Sequence, residues 1–480
     1  MSKKSAPKSR ERREMTTGRA LFGFLAPILV LVGLIAIGAE VTIASLMALF
    51  VMIGYCMYMG YLWPEIDSAM AEGVRQIATA SMIMLLVGCM VAVWMSSGTI
   101  PTLLYYGMKI ITPKLFLPIC FLLPAFMAVC AGTSWGSIST IGVVLCGMSA
   151  GLGIPVAMAA GAVISGAFFG DKMSPLSDTT LLAASSVEVP LFDHIKSMWY
   201  TTIPGTLICL VIYTALGIRA SGNIDTAAVS VLSDGLANTF HISPIHVIPV
   251  ALVLVLSVMQ VPAFVAFGAG IGSGILWSMI FQGRGFLENL GYIMSGFSVE
   301  SGVEAVDSLV NRGGFSSMLS LVGILLVLGM LSGLFSKTGV LNMLVSKLST
   351  RLNTPFSILC GVWVSALFIC LIGGQYPAIA IPAVAFKDVC DRMDIHRVVL
   401  SRTLEDVGTM VAAIVPWSAW VVGYGVILGG VTVQEFIPYT FLPMICPILA
   451  LINNYLGIGL FHKDDKVHYK PLWRRGKHEY

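Results

Sequence analysis

Long apolar runs, most of about twenty residues or more, recur twelve times along this chain, and no other feature constrains its fold so strongly. They cover about residues 20–38, 41–61, 76–97, 115–150, 154–188, 199–218, 244–260, 262–281, 318–336, 356–386, 397–431 and 437–457, each closed off by proline, glycine or charge. About twenty apolar residues carry a helix across a bilayer, and these runs lack the apolar–polar alternation of a membrane barrel. Of the 480 residues 57% are hydrophobic and 11% charged, with mean hydropathy +0.88, whereas soluble domains are about a quarter charged. The expected fold is an all-α polytopic membrane protein, with the lipid bilayer as its surrounding partner.

The formal charge of +3 gives no signal for nucleic acid. Ten cysteines are scattered, mostly inside apolar runs, without a Cys-x-x-Cys pair or metal-ligand spacing, and read as small core residues. Residues 1–19 are polar and basic and lack the short apolar stretch and small-residue cleavage site of a secretory signal. They and the basic segment 458–480 are expected to be cytoplasmic tails.

The chain repeats itself. A shift of 241 residues brings Gly88 onto Gly329, Gly98 onto Gly339, Gly132 onto Gly373, Trp135 onto Tyr376, Pro175 onto Pro416 and Ser177 onto Ser418. A one-residue slip aligns Ile66-Asp67-Ser68 with Val306-Asp307-Ser308. Single glycine matches mean little, but an ordered series at nearly one offset indicates duplication. The implied organisation is a first transmembrane repeat over 20–219, a linker over 220–243 and a second repeat over 244–457.

Two blocks in each repeat are interrupted at matching places: 115–150 by GTSWG (132–136) and 356–386 by GGQYP (373–377), then 154–188 by DKMSPLSD (171–178) and 397–431 by VPWS (415–418). Helix breaks at equivalent positions of two repeats point to the discontinuous helices that build a transporter's central site. If 115–150 and 356–386 are re-entrant hairpins, each repeat crosses five times and the second is inverted relative to the first. The chain then has about 10 transmembrane helices plus 2 re-entrant hairpins, with both termini cytoplasmic. On that topology 23 basic residues, Lys172 and Arg402 among them, fall inside and 5 outside, the bias expected of cytoplasmic loops. Twelve plain crossings account for the same blocks.

Ionisable residues at membrane depth are costly and point to function. Asp171 and Asp178 flank Pro175 in GDKMSPLSDTT, amid the hydroxyls of Ser174, Ser177, Thr179 and Thr180 and carbonyls freed by the proline, an oxygen-rich set of the kind hard cations prefer. A cytoplasmic loop with Asp caps and a Ser-Pro turn, leaving Lys172 in water, accounts for the same residues. Glu405 and Asp406 precede the Pro416 break. Adjacent helical positions point about 100° apart, so one of the two faces the site, or both pair with Arg402 or Arg397. Gly132, Thr133, Ser134, Gly373, Gly374 and Gln375 offer close backbone approach and polar oxygens along a substrate path, with Pro175, Pro416 and Ser418 at the breaks. Tight helix packing explains the glycines equally well. The seven histidines sit at block ends or in polar loops. His194 reads as a surface residue, or as a pH sensor beside the broken helix.

The runs AGTSWGSISTIG, ISGAFFGDKMSPLSDTTLLAAS and FDHIKSMWYTTIP, with SRTLEDVGT and VPWSAW in the second repeat, resemble the NhaC family of sodium/proton antiporters. The likeness spans nearly the whole hydrophobic chain. It implies a secondary transporter of the cell (inner) membrane rather than an enzyme, one that exchanges intracellular sodium for protons by alternating access. It also implies a site formed by Asp171, Asp178 and the hydroxyls between them, with Glu405 or Asp406 opposite. Sodium and protons are then the transported species and no resident cofactor is called for, while a homodimer remains open. Members of this family also exchange organic acids or amino acids coupled to sodium or protons, and that is the alternative reading. A channel would need a continuous polar pore. A protease built on the GxSxG pattern at Ser134 lacks its strand-to-helix setting.

Overall fold

The computed structural model describes residues 12–110, 112–221, 226–259, 261–349, 352–463 and 465, so most of both basic tails lies outside the described residues. Among these residues every regular element is a helix. Eight helices are long and apolar enough to cross a membrane, and up to ten if two bent pairs, Ser230–Thr239 with Pro244–Ser257 and Val433–Tyr439 with Phe441–Leu456, each count as one span. The eight include Pro113–Ala131, the first arm of a segment expected to be re-entrant. The expected linker carries a helix of its own, Thr226–Thr239, because Leu232 and Leu236 recur at helical spacing and are both buried.

The duplication is visible in where helices begin. Thr99, Ser134, Val156 and Asp178 open helices in the first repeat. The residues 241 further on, Val340, Gln375, Arg397 and Ala419, open helices in the second. Each repeat thus contains a hairpin followed by a broken helix. Hairpin 1 runs from Pro113–Ala131 through Gly132 and Thr133 into Ser134–Ser137, a π-helical turn over Ile138–Gly142 and Val143–Gly151. Hairpin 2 pairs Pro355–Gly373 with Gln375–Arg392 across Gly374. Broken helix 1 joins Val156–Met173 to Asp178–Ser186, and broken helix 2 joins Arg397–Ala412 to Ala419–Ile427.

Local chemistry explains the reversals. Pro113 and Pro355 stand in the first turn of their helices, where the missing N–H is not needed. Gly132 ends the first arm at φ +70°, a left-handed conformation glycine adopts without strain, and Ser137 donates its hydroxyl back to Pro124 O at 2.7 Å. At the first break Ser174 Oγ accepts from Leu176 N at 3.2 Å and donates to Val129 O at 2.8 Å. That holds the turn around Pro175 against hairpin 1.

Two compact units emerge, one of Met1–Ala80 with Gly323–Leu352 and one of Ser81–Val322 with Asn353–Tyr480. Neither coincides with a repeat. In the first unit Gly73 and Gly329 let two long helices meet backbone to backbone, since a Cβ on Gly73 would lie 2.0 Å from Gly329 O. The second unit holds both hairpins and both broken helices. There broken helix 1 rides on the first arm of hairpin 1 through Gly166 and Gly170, where added Cβ atoms would lie 2.0 Å from Phe121 O and 2.2 Å from Ala125 O. Small residues drive such contacts in lipid. Gly170→Val, which must push the backbones apart, is expected to cost roughly 1–3 kcal/mol or more and to lower the yield of monodisperse protein on size exclusion, whereas Gly268→Ala, with nothing within 4 Å, leaves it unchanged.

The repeats diverge at two turns. Glu188 and Asp394 are the non-glycine residues with positive φ among those described, at +60° and +57°, and their mates at the 241 offset are Gly429 and Gly153. The side chains explain the tolerance. Glu188 meets Lys387 and Arg397, each at 2.8 Å, Arg397 also meets Asp391 at 2.6 Å, and Asp394 meets His462 at 2.9 Å. Hydrogen bonds from Lys387 and Arg397 hold the Glu188 carboxyl below its usual range. One turn set therefore carries an ion-pair network that, among the described residues, its counterpart lacks.

Candidate functional site

The two hairpin tips and two breaks converge. At the tip of hairpin 1, Ser134 donates its hydroxyl to Asp171 Oδ2 at 2.8 Å. The Trp135 ring lies 4.8 Å from both Trp420 and Tyr424 of broken helix 2. A Cβ on Gly132 would stand 2.7 Å from Leu176 Cβ, so only glycine lets this tip close on the first break. At the tip of hairpin 2, Tyr376 donates its phenol to Asp178, and Trp417 of the second break donates Nε1 to Leu371 O at 2.7 Å.

Inside this junction lie three buried carboxylates and one buried ammonium: Asp171, Glu405, Asp406 and Lys172. Lys172 pairs with Asp406, both wholly inaccessible, and Thr201 donates to the same Asp406 oxygen at 2.7 Å. Glu405 Oε1 accepts from Thr409 at 2.9 Å, and Thr179, Lys172 and Asp171 lie within interaction range of Glu405. Each carboxylate thus has one oxygen engaged. The other oxygen of each, Asp171 Oδ1, Glu405 Oε2 and Asp406 Oδ2, is buried without a hydrogen-bond partner. A buried acceptor left bare is costly, so these positions suit a proton or a cation. Among the described residues no three Asp, Glu, His or Cys side chains are grouped to hold a metal. A cation here must therefore also draw on hydroxyl, carbonyl or water oxygens.

The expected residues divide. Asp171 and Ser134 sit in the junction, and Ser177 and Asp178 lie close to Asp171. Asp178 itself is exposed at the margin, bonded to Tyr376 and to Thr179 N at 3.0 Å. Ser174 braces the turn. Ser177 and Thr179 share a hydroxyl–hydroxyl bond at 3.0 Å, and Thr180 ties the two halves of broken helix 1 by donating to Lys172 O at 3.1 Å. Gly373 and Gly374 turn hairpin 2, with Gly374 at φ +74°. Thr133, Gln375, Pro175 and Ser418 are partly exposed and Pro416 exposed.

Three expectations change. Lys172 and Arg402, counted among the cytoplasmic cations, are both buried, because each lies on a helix enclosed by neighbours rather than at a solvated end. Asp406 pairs with Lys172 across the repeats, not with Arg402 or Arg397. Arg402 instead reaches Gly459 O at 3.1 Å. His194 is fully buried and shares a 2.8 Å bond with Ser401, since the start of the Leu191–Ser221 helix is covered by broken helix 2; His246 is buried likewise.

Lys172, Thr201, Thr409 and Tyr376 are the residues that pattern reading did not select. One signal was available: His194, Ser197 and Thr201 recur three and four residues apart on one face of the Leu191–Ser221 helix, and all three are buried.

A family model described as the Na+/H+ antiporter family matches residues 15–187 and 166–458. The chain belongs to the Na+/H+ antiporter family. A malate-2H+/Na+-lactate antiporter of Bacillus subtilis is 35% identical over 415 residues, 85% of this chain and 88% of that one. The Na+/H+ antiporter NhaC of Alkalihalophilus pseudofirmus is 35% identical over 84% of this chain and 87% of its own. The arginine/ornithine antiporter ArcD of Halobacterium salinarum is 33% identical over 84% of each. This antiporter family member is thus similar to proteins that share exchange and differ in their named cargo.

Proposed function

We propose that this protein is a secondary exchanger of sodium for protons, and that the two ions compete for the junction of hairpins and broken helices. The observation that supports this best is the set of three orphaned carboxylate oxygens around a single buried lysine. A proton on one of these oxygens and a sodium ion against it satisfy the same need, so the two exclude each other. If the protein reorients only when the need is met, competition becomes exchange. Asp171 and Glu405 are assigned the shared ligands, with Ser134, Ser177, Thr179 and Thr409 oxygens completing the shell. Asp178 with Tyr376 stands at the approach. The Lys172–Asp406 pair ties broken helix 1 to broken helix 2, so that both repeats respond to one occupant. The proposed setting is the cell (inner) membrane with both termini cytoplasmic and the second repeat inverted.

Purified protein in liposomes loaded with a pH-sensitive dye tests the reading. Sodium added on one side is expected to drive proton movement in the opposite direction without any organic solute. Proton flux that does not respond to sodium would overturn it. Flux that requires lactate, malate or arginine in the opposite compartment would favour the second reading, exchange of organic ions, which the named cargo of two relatives supports.

A further inference from the structure

We infer that a cavity built around Arg312, separate from the acidic junction, binds a small carboxylate anion. The cavity has a volume of about 240 Å³, below the roughly 300–1,000 Å³ of pockets that take drug-sized ligands, so its occupant is small. Arg312 is the one charged residue in its lining. Among the described residues no carboxylate lies within ion-pair distance of that guanidinium. Its Nη1 points at the end of broken helix 2, where a Cβ on Gly429 would lie 3.5 Å away. The remaining wall sets the apolar side chains of Leu232, Leu309, Leu428 and Cys146 beside Ser308. A guanidinium offers two parallel N–H donors that match a planar carboxylate, and the apolar wall suits a short carbon chain.

The turn that carries Arg312 is built for fixed presentation. In the first repeat the matching stretch is one continuous helix, Trp63–Ser96. The second repeat interrupts it between Val310 and Phe315. Arg312 O accepts from Phe297 N at 3.1 Å and Gly314 N donates to Gly88 O at 2.7 Å. Gly313 at φ +87° sits so close that a Cβ would lie 2.6 Å from Ala92 N. The second repeat thus gives up helix continuity and gains a positioned cation. Leu428 is four residues, about one helical turn or 6 Å, beyond Tyr424, whose ring packs on Trp135 at the junction. An anion held here would join hairpin 1 at Cys146 to broken helix 2 at Gly429, next to the proposed ion site but without using its ligands.

Calorimetry and thermal unfolding of the full-length protein in detergent, with sodium held constant, read binding without any gradient, so the outcome does not depend on sodium–proton exchange. The probes are acetate, lactate and malate, with chloride and phosphate as inorganic controls. At least one of the three carboxylates is expected to bind and raise Tm. Arg312→Gln should weaken that binding at least tenfold, and Arg312→Lys should weaken it less, because an ammonium keeps the charge but loses the paired donors. No binding by any carboxylate, equal binding by chloride or phosphate, or binding unchanged in the variants would overturn the inference. Should Arg312→Gln fail to fold, unchanged affinity in Arg312→Lys is itself the contradicting result.

Discussion

Protein carrying Asp406→Ala is expected to unfold about 3–5 kcal/mol more readily than the wild type, the penalty typical of removing one partner from a buried ion pair. Lys172 and Asp406 are both wholly inaccessible and come from different repeats, so truncating the acid strands an ammonium that water cannot reach. Lys172→Ala should cost a comparable amount by leaving Asp406 with Thr201 alone. The double variant Lys172→Met/Asp406→Leu should recover most of the loss, because filling the space with apolar side chains removes both charges together. Resistance to thermal unfolding in detergent, read for the two single variants and the double, gives the coupling. Single variants as stable as the wild type would mean that the pair is solvated and does not join the repeats.

Sodium-dependent proton exchange should fall at least a hundredfold in Asp171→Asn and in Glu405→Gln, while both proteins remain folded. Each substitution keeps shape and volume and removes the charge beside an orphaned oxygen, Asp171 Oδ1 or Glu405 Oε2. The amide cannot take up the proton that the cycle must carry. Asp178→Asn should lose less, because Asp178 is exposed and held by Tyr376 and by Thr179 N. Dequenching of a pH dye in everted vesicles checks all three. Exchange within twofold of wild type in both Asp171→Asn and Glu405→Gln would remove these carboxylates from the ion site.

What the sequence made legible and what it hid divide along a physical line. Backbone punctuation was readable where glycine or proline stands beside polar residues and recurs in both repeats, as at Gly132, Pro175, Gly374 and Pro416, whereas Pro118, Pro124 and Pro447 lie inside helices. The 241-residue offset places matching helix starts at Ser134 and Gln375, Val156 and Arg397, Asp178 and Ala419. The presence of acids at depth was readable for the same reason: charge in an apolar block is expensive. Their partners were not. Lys172 is one residue from Asp171 and resembles a solvated loop lysine until the fold sets Asp406, 234 residues later, against it. His194 lies near the start of its helix, and helix starts are often solvated, but here a second helix covers it. The acids also break the repeat symmetry: Asp171 and Asp178 border the first break, while Glu405 and Asp406 lie at mid-helix positions whose first-repeat mates are Ile164 and Ser165. No offset could have paired them.

Calorimetry of sodium binding to the purified protein, in buffers of different ionisation enthalpy, checks whether sodium and protons take turns on the same buried oxygens. Sodium is expected to displace at least one proton as it binds, and its affinity to weaken as pH falls, approaching tenfold per unit for each proton displaced. Sodium binding with no proton release and no dependence on pH would contradict it.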